Sequence, residues 1–156
     1  MQALKVIVED KEKAMSLRLI GSIDEEAALE NIKVGTSKDL IIDIGEVNFM
    51  NSYGGREWIK WTHKLNSNRN LRFLNCPSVF LEYVNMIDGF IPSNGTIESF
   101  KIPYYCESCN KVTNRNYESK SITDVSKDVA LNMTCSHCKK NAEIDVVVPN
   151  FFKFLR

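Results

Sequence analysis

A mixed α/β sheet with helices packed on it, followed by a small cysteine-bearing β module, is the fold class this sequence predicts. Three observations lead there. Between residues 5 and 102, segments with the two-residue period of strands alternate with segments of helical period. Near Pro103 the composition shifts to a polar stretch holding four of the five cysteines, in two C-x-x-C pairs. And 156 residues, 44% apolar and 26% charged, suffice for a domain of about 100 residues with a small appendage.

The elements follow in order. Lys5 to Val8 is apolar-rich and reads as a strand. Met15, Leu17 and Leu19 alternate with Ser16, Arg18 and Ile20, which predicts a half-buried second strand ending at Gly21. The segment SIDEEAALENI, with Ser22 or Asp24 as cap and Glu25 three residues after Ser22, predicts a helix whose short apolar face is Ala28, Leu29 and Ile32. Leu40 to Ile44 is nearly all apolar and β-branched, as a buried central strand requires. After a turn at Asn51–Gly55, Trp58, Trp61 and Leu65 recur at i, i+3 and i+7, with Arg56, Lys60 and Lys64 elsewhere on the helix. Leu71 and Phe73 mark a further strand, and Pro77-Ser78 opens a second helix carrying Phe80, Val84 and Ile87. Gly89 is a natural stop, Ser93–Gly95 a turn, and Thr96 to Ile102 a last strand. The expected division is residues 1–102 for the α/β domain and 103–156 for the cysteine module with its tail.

The segment DIGEVNFMNSYGG carries more than fold. It places a buried strand, Phe49, and the tetrad Asn51-Ser52-Tyr53-Gly54 directly before an amphipathic helix. With Leu19–Asp24 upstream and Leu71–Asn75 and Gly89 downstream, residues 3–102 resemble the STAS domain, the sulfate-transporter and anti-sigma-factor-antagonist family. The resemblance implies a non-enzymatic signalling domain. Its partner would be a kinase or anti-sigma-like regulator, met by the turn and the start of the next helix. It sets Asn51 on the family's Asp, Ser52 on its first Ser, Tyr53 on the phospho-acceptor Ser and Gly54 on the Gly. A serine is thus missing at the acceptor position, and Ser52 lies one residue earlier. Independently of any family, such a helix start presents unpaired N–H groups and a positive dipole end, with Asn51 or Ser52 as cap. Arg56 on the first turn joins them as a partner-facing residue. The bland alternative is a plain N-cap with no partner.

Cys106, Cys109, Cys135 and Cys138 form two short knuckles separated by enough chain to make a hairpin and return. Four thiolates from two facing knuckles match the tetrahedral preference of Zn²⁺, so a structural zinc ribbon is expected. Disulfides are the alternative, and iron would accept the same donors. The positions after each knuckle, where ribbons often use Gly, hold Asn110 and Lys139. Asn tolerates positive φ better than Lys does. Cys76, His63 and His137 read as structural or surface residues without partners.

Net charge is zero, with −2 over residues 1–102 and +2 over 103–156, so no part is basic enough to track phosphates by charge. A zinc-ribbon protein binding nucleic acid or the transcription apparatus is therefore the second functional reading. An enzyme is the third, because no nucleophile–base set appears in the pattern. No apolar run of membrane length and no signal-like start is seen, so a cytoplasmic protein is expected. The tail Phe151-Phe152-Lys153-Phe154-Leu155-Arg156 must fold back or bind something; folding back is the first expectation, a homodimer or partner contact the second.

Overall fold

The computed structural model describes residues 2–11, 13–65 and 68–155. Arg156, which ends the aromatic tail, lies outside them. The first five strands are β1 (Lys5–Lys11), β2 (Ala14–Ile23), β3 (Asp39–Met50), β4 (Asn70–Leu74) and β5 (Gly95–Ile97). They form one sheet in the order β1-β2-β3-β4-β5; β1–β2 is antiparallel and the remaining pairs are parallel. Helices α1 (Ser52–Lys64) and α2 (Ser78–Met86) both cover the same face. The mixed α/β class is as predicted.

The alternation read from the sequence decides which face they cover. Met15, Leu17, Leu19, Leu40, Ile42, Ile44, Leu71 and Phe73 are all buried there. Trp58 of α1 reaches Phe73 and Phe80 of α2, with ring centroids 5.7 and 5.1 Å apart, which joins both helices to the sheet. Trp58 and Trp61 are thus core residues. The other face is charged: Arg18 pairs with Glu46, and Arg72 makes a two-pronged contact with Glu98 at 2.6 and 3.0 Å.

Four local expectations are corrected. No helix spans residues 22–32: β2 continues to Ile23, paired with Met50, and only Leu29–Asn31 forms a single 3₁₀ turn. One buried side chain, Leu29, is too little apolar face to hold a helix there. Its cap residues are also spent elsewhere, since the Asp24 carboxylate accepts from the N–H of Glu26 and Glu25 bonds to Asn51. Second, β3 outruns Ile44 because a bulge lets it continue. Arg18 faces Asp43 while Ile20 faces Glu46, and the extra residue is held by Gly45 N–H on Asp43 and by Lys101 Nζ on the Gly45 carbonyl, at 2.9 and 2.8 Å. Third, α1 begins at Ser52, not after Gly54-Gly55, so both glycines lie inside its first turn.

Fourth, Thr96–Ile102 is not one strand. The chain breaks at Glu98, whose N–H donates to the Phe73 carbonyl at 2.9 Å, and then enters β6 (Ser99–Cys106) of a second sheet. That sheet has the order β7-β6-β9-β8, with β7 at Lys111–Glu118, β8 at Asn132–Thr134 and β9 at Asn141–Ile144. Cys76 bridges the sheets: it donates to the Ser99 carbonyl and accepts from the Lys101 N–H, at 3.0 and 2.9 Å. It is fully buried, and burial pushes its thiol well up, as suits a small structural hydrophobe.

A short helix α3 (Val125–Asp128) precedes β8, and α4 (Val148–Phe151) with the 3₁₀ turn Phe152–Leu155 ends the described chain. β9 stops at Ile144 although Val146 and Val148 continue its alternation, since Pro149 is accommodated in the first turn of α4. The tail folds back in cis. Phe152 and Phe154 meet Phe100 edge to face, and Asn85 of α2 donates to the Phe151 carbonyl at 2.8 Å. Phe100 also stacks on Tyr117. One core therefore runs from Trp58 through Phe80 to Phe100 and the tail. No helix of the described residues is long and apolar enough to cross a membrane.

Candidate metal centre and partner surface

The two knuckles sit at neighbouring turns. Cys106 ends β6, Cys109 lies in the turn to β7, and Cys135 and Cys138 lie in the turn from β8 to β9. Pairing of Tyr104 and Tyr105 of β6 with Ile144 and Glu143 of β9 brings the turns together. The four Sγ atoms lie within 4.8 Å of one another. The Cys106–Cys138 and Cys109–Cys135 sulfurs are 3.5 and 3.6 Å apart. A tetrahedral ion with metal–sulfur bonds of about 2.3 Å needs sulfurs about 3.8 Å apart. Those two pairs are slightly closer than that and all six lie within 4.8 Å, so the donors enclose a space of the size such an ion needs.

The backbone supports the same arrangement. Asn110 and Lys139, the two positions singled out after the knuckles, both take positive φ, at 55° and 64°. Their N–H groups return to the carbonyls of Cys106 and Cys135, at 2.8 and 3.1 Å. Tyr105 Oη donates to the Asn110 side chain at 2.8 Å, and Thr113 and Ser136 hydroxyls, 2.9 Å apart, link the two hairpins. The N–H groups of Cys138 and His137 draw the Cys135 thiol down to about 6. Burial pushes Cys109 up to about 12, reinforced by its sulfur neighbours. Burial opposes ionisation of Cys106 too, but the Cys109 N–H and the Cys138 sulfur outweigh it, and the thiol ends below its ordinary value. Four sulfurs this close ionise together only when a cation shares their charge. Cys106, Cys109, Cys135 and Cys138 together could hold a metal ion such as zinc. His137 is exposed beside them, and His63 is exposed with Nε2 donating to the Gly89 carbonyl at 2.8 Å.

The second candidate region is the start of α1. Asn51 is the cap: its Oδ1 accepts from the Gly54 N–H at 2.8 Å, while its Nδ2 donates to Glu25 at 2.7 Å. That bond holds the Glu25 carboxyl below its usual range. Nothing local in the sequence links residues 25 and 51, so Glu25 was not visible as a site residue. Gly54 is buried against the end of β2; a Cβ there would lie 1.8 Å from the Ile23 carbonyl oxygen. Ser52 and Tyr53 are exposed, Tyr53 at 46%, and the Arg56 guanidinium lies over the Tyr53 ring, 5.8 Å from its centroid. Of the five residues expected here, Asn51 and Gly54 fix the turn while Ser52, Tyr53 and Arg56 face outward. Asn51→Ala is expected to cost about 1 kcal/mol through the lost cap. Chemical denaturation would measure it, together with loosening of the Glu25 loop.

No protein-family model matches this chain, and no curated protein matches it. Among solved structures it is similar to the crystal structure of an anti-sigma factor antagonist from Mycobacterium paratuberculosis. The identity is 18%, over 54% of this chain and 77% of that one, with a TM-score of 0.47.

Proposed function

We propose that this chain is a non-enzymatic regulatory module that binds a signalling protein through the Asn51–Gly55 turn and the start of α1, with a structural zinc ion in its second sheet. The observation that carries the partner reading is the contrast within one turn. Asn51 and Gly54 are tied down by the Gly54 N–H, Glu25 and the Ile23 carbonyl, while Ser52, Tyr53 and Arg56 stand free to be touched. A rigid turn presenting a hydroxyl, an aromatic ring and a cation loses little conformational freedom on docking. The resemblance of residues 3–102 to the STAS pattern supports the partner class, a kinase or anti-sigma-like regulator. A phosphoryl group on Ser52 or Tyr53 would bring negative charge to this surface beside Arg56 and so alter docking. The proposed roles divide at about residue 102, with the partner surface in front and the metal behind.

The test is capture of the partner from cells that make the protein, read by mass spectrometry, with Ser52→Ala and Arg56→Ala as controls. Binding to the captured partner should weaken at least about tenfold in Arg56→Ala, the scale of a lost interface hot spot. Its melting temperature should not change, because Arg56 is exposed. Equal capture by wild type and both variants would refute this surface.

A further inference from the structure

Strand β1 is the edge of the first sheet: it pairs with β2 on one side, and among the described residues no other strand pairs with its outer side. Its sequence, Lys5-Val6-Ile7-Val8-Glu9, is strongly β-forming, and Val8 is 48% exposed. Unpaired edges are normally blunted by a proline, a bulge or charged side chains. Lys5–Glu9 has no proline and its register with β2 is regular throughout, and its two charges, Lys5 and Glu9, are opposite in sign.

Read against an antiparallel copy of itself, the strand is self-complementary. A two-fold axis perpendicular to the sheet keeps each side chain on its own face, so only registers whose paired residue numbers sum to an even value are allowed. Centring the axis on Ile7 sets Lys5 opposite Glu9 at both ends, Val6 opposite Val8 twice, and Ile7 opposite its own copy. Centring on Val8 instead would set Lys5 against Lys11 and Ile7 against Glu9. Centring on Val6 would leave Lys5 facing Ile7. The faces agree with the Ile7 register. Val6 and Val8 lie beside buried Leu19 and Leu17, at the rim of the core face, whereas Lys5, Ile7 and Glu9 lie beside Ile20, Arg18 and Ser16 on the charged face. Pairing would cover exposed Val8 and half-buried Val6 and place two opposite-charge pairs on the polar side.

We infer that β1 is a homodimerisation edge, and that two copies join β1 to β1 about Ile7 to make one continuous ten-stranded sheet. The homodimer contact therefore belongs to this edge and not to the aromatic tail, which is satisfied within its own chain. The partner surface at α1 plays no part in the inference, so either can fail without the other.

Sedimentation equilibrium of the full zinc-loaded chain should show a reversible monomer–dimer equilibrium between about 10 and 500 µM, the range expected of a small interface. Lys5→Glu and Glu9→Lys each convert both charge pairs to repulsion and should raise the dissociation constant at least about tenfold. The two variants mixed in equal amounts restore opposite charges at both ends, and the mixture should dimerise as wild type does. Circular dichroism should be unchanged in each variant, as these side chains are exposed. A wild-type chain that stays monomeric to about 500 µM would overturn the inference. So would a dimer indifferent to both substitutions, or single variants that weaken dimerisation but are not rescued by mixing.

Discussion

Replacing Cys106 by Ser, or stripping the metal with a strong chelator under reducing conditions, should unfold the second sheet and destabilise the first along with it. Structural zinc contributes about 10–16 kcal/mol in apparent terms, against about 5–15 kcal/mol for the whole stability of a typical domain. A module of a few short strands has no reserve to replace that contribution. The loss should spread through β6. Cys106 is its last residue, and Phe100, Ile102 and Tyr104 on the same strand are fully buried. Phe100 touches Tyr117, Phe152 and Phe154, and the backbone beside it bonds to Cys76 at the end of β4. Wild type should hold one zinc per chain by elemental analysis and melt in a single transition. Cys106→Ser should hold none and lose amide protection in β4 and α2 as well as in the ribbon. A reduced, metal-free wild type that melts as the loaded protein does would contradict the zinc assignment. Two separate transitions would show instead that the sheets are not coupled.

The second large effect is at Gly54. An alanine Cβ would sit 1.8 Å from the Ile23 carbonyl oxygen and 2.4 Å from its carbon, inside any permitted contact. Neither side can yield cheaply, because Ile23 is paired with Met50 and Gly54 is in the capped first turn of α1. Forced overpacking of this kind costs about 3 kcal/mol or more. For a chain of this length that lowers the melting temperature by about 6–12 °C. Gly55 supplies the internal comparison. A Cβ there meets the Tyr83 ring at 3.1 Å and the Phe90 ring at 3.8 Å, side chains and not backbone, so Gly55→Ala should cost about 1 kcal/mol. Thermal melts of the two variants side by side test this; equal effects would mean that α1 does not approach β2 as closely as described. Any loss of the proposed partner binding in Gly54→Ala would come through folding, which separates it from Arg56→Ala.

Much of the fold was legible in the residues because burial imposes a period on each element. Leu17-Leu19, Leu40-Ile42 and Leu71-Phe73 announced strands, and Trp58-Trp61 announced the helix above them. The places where reading failed share one feature. The helix expected over 22–32 had a capping pattern but too little surface to bury, and the strand expected over 96–102 had Ile97, Phe100 and Ile102 but a neighbour on each of two sheets. Local preference is worth tenths of a kcal/mol per residue, and pairing across the sheet outweighs it.

The four cysteines were legible for a different reason. A C-x-x-C turn is a complete local device, and two of them can converge in few ways, so the donor set could be named before the turns were seen to meet. The amino-acid sequence on its own therefore determined most of the elements, the faces they bury and the candidate sulfur donors, each set by residues near one another along the chain. Only tertiary structure decided that Glu25 fastens Asn51, that Gly54 must be bare against Ile23, that the aromatic tail closes on Phe100 and that β1 is left as an edge. These depend on residues far apart in the chain meeting at contact distance, and register and packing set that distance once the whole sheet has formed.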